Sequence, residues 1–177
     1  MKKVMLLTIF AALMMISSAA IAQTTASGTL TVTATVNGSI QLVFNSDAAG
    51  VALSSGAGTN TATLAFGNVS AFGAISAGIV RTTTASNFTV SSAVDVQVSQ
   101  TNSASANYTL KAQLGAADAV DTWTVGGIAV TNAAQSTLTA TGTYAANSNF
   151  PVAITVPFTT ASGTLISNSI NYVATAN

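Results

Sequence analysis

A chain of 177 residues with no histidine, no cysteine and only 5 % charged residues lacks an ordinary imidazole base, a thiolate nucleophile and the usual zinc ligands. Two of its four cations, Lys2 and Lys3, sit at the very start, and the two that remain cannot neutralise a phosphate backbone. An enzyme, a resident metal or cofactor, and a nucleic-acid partner are therefore not expected.

Lys2 and Lys3 precede an apolar run from Val4 to Ile16, and Ala20-Ile21-Ala22 has the small-x-small form that signal peptidase needs. Residues 1–22 thus read as a signal peptide, cleaved before Gln23, and the chain as an exported one. The run is shorter than the ~18 residues of a membrane-spanning helix, and no later stretch is apolar enough to span a membrane as a helix. An outer-membrane barrel ranks below a sandwich, because aromatic girdles and a charged interior are missing.

Residues 23–177 keep Arg81 and Lys111 against Asp47, Asp95, Asp118 and Asp121, a net charge of −2. With no disulfide, packing and strand pairing alone must hold the fold. These 155 residues are enough for one domain that buries roughly two thirds of its unfolded surface. Abundant Thr, Ser, Ala, Val and Asn favour strand over helix.

The first stretch, Gly28 to Phe44, alternates, and only Val43 breaks the pattern. Leu30, Val32, Ala34, Val36, Ile40, Leu42 and Phe44 share one parity, with threonine, serine and glutamine between most of them. Asn37-Gly38 has the form of a hairpin turn, but a two-residue loop would put Ser39 and Gln41 on the core face and turn Ile40, Leu42 and Phe44 outward. One continuous strand, bent or bulged at Gly38, is the better reading. Its seventeen residues would reach roughly 56 Å, against a domain diameter of about 40 Å. Either it changes sheet at Gly38 or residues 23–36 leave their own domain.

Further along, a short strand at Val51 to Leu53 and alternation over Thr61 to Phe66, Ile79 to Thr84, Asn87 to Ser99 and Asn107 to Leu114 mark strands separated by turn residues. In TWTVGGIAV a two-residue Gly126-Gly127 loop pairs Val125 with Ile128 and Trp123 with Val130, all on one face. Leu138 to Tyr144 follows, then Phe150 to Phe158, where Pro151 and Pro157 suit an edge strand or its ends. Ile170 to Ala176 closes the chain with Ile170, Tyr172, Ala174 and Ala176 inward. About eight to ten short strands with frequent turns and no helix predict an all-β, antiparallel β-sandwich over residues 23–177.

Few residues suggest a ligand. Asp118 and Asp121 are the one acidic pair, and calcium takes about six to eight oxygens, so a solvated loop is expected there. Four Asn-x-Ser/Thr triplets, at Asn37, Asn68, Asn87 and Asn107, are no more than so much Asn, Ser and Thr produces by chance. The threonine ladders Thr29 to Thr35 and Thr137 to Thr143 could present hydroxyls to glycan or ice, or be the wet face of a strand.

The N-terminal TLTVTATVNGSI from Thr29, the C-terminal Ala161-Ser-Gly-Thr-Leu and the alternating run from Ile170 resemble the first and last strands of secreted pilin-like sandwiches, the spore coat protein U and chaperone–usher pilin group. The resemblance covers both ends and about a quarter of the chain. It implies an immunoglobulin-like domain in a surface fibre, each subunit completed by a strand from its neighbour. Leu30, Val32, Ala34 and Val36 would then be the donor strand, and a periplasmic chaperone and an outer-membrane usher would be partners. The group usually carries a cysteine near the end of the first core strand, where Ser39 stands here. That departure bears on the chaperone more than on strand exchange. The expected function is an exported structural or adhesive subunit of a cell-surface fibre, and the alternative is a monomeric secreted module that binds glycan or ice.

Overall fold

The computed structural model describes residues 26–177; the expected signal peptide and its cleavage site lie outside them. The chain divides into a unit ending at Thr35 and a unit from Val36 to Asn177. In the first, residues 26–35 form no helix or strand and are exposed.

The second unit is all-β. Its strands are β1 (Ser39–Ser46), β2 (Val80–Thr83), β3 (Asn87–Ser92), β4 (Val94–Thr101), β5 (Tyr108–Leu114), β6 (Thr122–Val125), β7 (Ile128–Val130), β8 (Ser136–Gly142), β9 (Asn147–Asn149), β10 (Val152–Pro157) and β11 (Ile170–Ala176). They make three antiparallel sheets, ordered β1-β4-β9, β2-β3-β10-β6-β7 and β11-β5-β8. Among the described residues no helix is long and apolar enough to cross a membrane.

Two chain segments serve the first sheet and the second in turn. Only Ala93 separates β3 from β4, and only Phe150 and Pro151 separate β9 from β10. The third sheet covers both. Tyr108 and Leu110 of β5 pack with Val96 and Val98 of β4, while Ala112 and Leu114 pack with Val90, Ile154 and Trp123 of the second sheet. The result is a sandwich with one composite layer of two sheets and one layer of three strands. Strict alternation built it: β5 reads buried at every even residue and half-buried at every odd one. Burying Val96, Val98, Leu110 or Val125 fully is worth about 1.5–3 kcal/mol each.

The Gly126-Gly127 hairpin forms in the expected register, with Val125 opposite Ile128 and Trp123 opposite Val130. Both glycines have positive φ, 58° and 78°, which a tight turn of the hairpin kind requires. Trp123 and Val130 are buried.

Four expectations need correction. The stretch from Gly28 to Phe44 is not one strand, because the ladder begins at Ser39, where β4 supplies a partner, and residues 28–38 have none among the described residues. Val51 to Leu53 and Thr61 to Phe66 are not strands either; the second is joined only by a single bridge at Thr63 to Ser55. Asn87 to Ser99 splits at Ala93, and Ser92 faces inward because its Oγ accepts the Val51 N–H at 2.7 Å. Of the two places expected of the prolines, an edge strand or the ends of a strand, the structure takes the second: β10 is central, Pro151 stands just before it and Pro157 is its last residue, so neither interrupts the ladder.

Candidate strand-binding groove

Each of the three sheets ends in two edge strands, and two of these six, β1 and β11, face one another across a gap. The one ladder of β1 is with β4 and that of β11 is with β5; on its other side β1 has a single bridge, from Phe44 to Thr59. Their inward side chains approach across the gap: the rings of Phe44 and Tyr172 meet edge-on, 5.1 Å apart at 71°. No ladder joins the two strands among the described residues.

The unpaired main-chain groups can be located. At the two ends of the β11–β5 ladder the Gly115 N–H donates to the Ser169 carbonyl and the Asn177 N–H to the Asn107 carbonyl. Odd-numbered residues of β11 therefore bond toward β5, and Ile170, Tyr172, Ala174 and Ala176 aim their N–H and C=O away from it. On β1 the outer groups of Phe44 are taken by Gly58 and Thr59, while Ile40 and Leu42 share its parity and have no such partner among the described residues. Of the same residues, Ile40, Leu42, Ile170, Tyr172 and Ala174 are half-buried and Ala176 is exposed.

Between these edges runs a groove of about 1960 Å³. Its rims are β1, β11 and the irregular segments 58–71 and 160–169, and its floor reaches Val90, Val94, Trp123 and Ile154. A small-ligand pocket is usually ~300–1,000 Å³ with a few convergent polar groups. This groove is larger, and none of the residues that line it is charged. Burial against Phe44 pushes the Tyr172 phenol far above its ordinary pKa, so that group is neutral as well. The chemistry it offers is an apolar floor with a row of main-chain donors and acceptors along one rim, which suits an extended, uncharged segment.

The four residues expected to act as a donor strand lie outside every strand. Leu30 is 86 % exposed, Val32 80 % and Val36 72 %, and Ala34 is exposed too. The span from Leu30 to Val36 is seven residues, the length of β11. The acceptor residues escaped sequence reasoning because β1 and β11 stand at opposite ends of the chain. Alternation marked both strands, yet nothing in it says which edges stay unpaired.

The acidic pair proves structural. Asp118 accepts from Trp123 Nε1 at 2.8 Å and from the N–H groups of Asp121 and Val120 at 2.9 and 3.0 Å. Desolvation pushes its carboxyl pKa up, but the bonds from Trp123, Asp121 and Val120 together outweigh it and leave the group below the ordinary 3.8. Asp121 is raised, by burial and then by the nearby Asp118 charge. No group of three or more acidic side chains that could hold a metal ion occurs among the described residues.

A lowered carboxylate contributes stability that is present above its unfolded pKa and lost as pH falls through the folded one. Asp118→Ala should therefore cost about 1–2 kcal/mol at neutral pH, mainly by orphaning the indole N–H. Acid unfolding of the two proteins, followed by Trp123 fluorescence, should show that difference shrinking below pH 3.8. The raised Asp121 works in the opposite sense and softens the loss in the wild type.

No family model, curated protein or solved structure matches the chain.

Proposed function

We propose that this chain is an exported structural or adhesive subunit of a cell-surface fibre, in which residues 28–36 of one copy enter the groove between β1 and β11 of the next. The observation that carries the reading is the free edge of β11 beside an uncharged groove with an apolar floor. Strand addition satisfies the main-chain groups of Ile170 to Ala176, and alternate side chains of the entering segment fill the floor. Leu30, Val32, Ala34 and Val36 supply those side chains at the right spacing. Covering the edge also removes a template for uncontrolled aggregation. A periplasmic chaperone would serve the same end before assembly, and an outer-membrane usher would be the site of exchange.

A second reading, a monomeric module for glycan or ice, draws on a different surface from the ladders at Thr29 to Thr35 and Thr137 to Thr143. Thr82, Thr89, Thr155 and Thr122 stand in one row across four strands of the second sheet. The hydroxyls of Thr89 and Thr155 are 2.7 Å apart and satisfy one another, which weakens their claim on a ligand.

Light scattering of residues 23–177 over a range of concentration separates the two. Fibre subunits grow in mass with concentration, and a version lacking residues 23–36 stays small but binds a synthetic 28–36 peptide. A monomer at every concentration, with saturable binding to a glycan or to ice, would favour the second reading.

A further inference from the structure

Part of the groove is already covered from within the chain. Leu64, Phe66, Val69 and Ala71 lie half-buried against the core and line the groove. The segment is tied at both ends. On one side Thr63 exchanges main-chain bonds with Ser54 and Ser55, at 2.9 and 3.0 Å. On the other, the Arg81 guanidinium donates to the carbonyls of Ser70 and Gly73, each at 2.8 Å, and the Thr83 hydroxyl donates to that of Ala71. Between the ties, residues 64–69 make no hydrogen bond among the described residues. They are held there by side-chain burial alone.

We propose that residues 64–69 are a displaceable strap, which shields the apolar floor of a lone subunit and lifts when the strand of a second copy enters. The inference rests on the strand-addition reading. An entering strand brings a ladder to the free edge of β11 together with alternate apolar side chains, whereas the strap offers side chains only, so the exchange favours the newcomer. The ties explain why the strap returns: Arg81 spends its guanidinium on the loop that anchors one end rather than on a carboxylate. A segment without main-chain bonds also opens locally at low cost.

The chain has no cysteine, so a single introduced thiol reports its own surroundings. In residues 23–177 carrying Phe66→Cys, or Leu64→Cys if the first is unstable, the thiol should react with a maleimide about tenfold more slowly than that of Val120→Cys, whose parent side chain is 58 % exposed and lies away from the groove. Excess synthetic 28–36 peptide should raise the slow rate by about tenfold and leave the Val120→Cys rate unchanged. A strap thiol as reactive as the control without peptide would overturn the proposal, since the strap would not be seated. A peptide that binds, by fluorescence anisotropy, while the strap thiol stays slow would overturn the strap and leave strand addition standing. A peptide that binds neither the wild type nor Phe66→Ser would remove strand addition, and the strap's role with it.

Discussion

Val32→Asp will abolish concentration-dependent association of residues 23–177 and leave their thermal unfolding unchanged. Val32 is 80 % exposed and belongs to no strand, so the folded subunit loses no packing when it changes. Substitutions at such surface positions usually stay within about 0.5 kcal/mol. Inside the groove the situation reverses, because no charged residue lines it and nothing there can pair with a carboxylate. Burying an unpaired ion costs several kcal/mol, enough to weaken association by roughly a hundredfold or more. Light scattering reads the association and calorimetry the unfolding; a fall in both would mean that Val32 supports its own subunit.

The second large effect concerns the core beneath the groove. Gly142→Ala should lower the melting temperature by several degrees. A Cβ at position 142 would fall 2.3 Å from Cζ and 2.4 Å from Cε2 of Tyr108, far inside contact distance. Tyr108 is fully buried, and Tyr144 packs on its ring with centroids 5.2 Å apart, so the ring has nowhere to retreat. Overpacking of this kind costs about 1–3 kcal/mol, or roughly 2–4 °C for each kcal/mol in a chain of this size. Tyr108→Leu also destabilises, by opening a cavity. The double variant should lose less than the two single losses combined, since the added methyl then occupies part of that space.

Much of the sandwich could be read from alternation because its strands bury one face and wet the other. The hairpin at Gly126-Gly127 could be read to the residue, since only one register places Trp123 and Val130 together. Asn87 to Ser99 shows its buried parity but not its break at Ala93, where the chain leaves one sheet for another without changing face. Alternation records which side of an extended segment meets apolar surface, and it is silent on whether a neighbour completes the ladder. That is why Thr61 to Phe66 reads as a strand: Ala62, Leu64 and Phe66 do turn inward, but no strand runs alongside. Gly28 to Val36 misleads in the same way, with its side chains in water. β9 was missed because Asn147, Ser148 and Asn149 are polar and too few to show a period. The groove itself needs Ile40 and Tyr172 in one place, and their proximity follows from sheet order, which no local pattern contains.

The central claim is that residues 28–36 of one copy occupy the groove of another. A photoreactive residue in place of Val32, in an equal mixture of isotopically light and heavy protein, tests it most directly. After illumination and digestion, crosslinks should join light peptides containing position 32 to heavy peptides from 40–44 or 170–176, and the reverse. Crosslinks confined to peptides of one isotope, or none to either edge at concentrations where the protein associates, would contradict strand addition between copies.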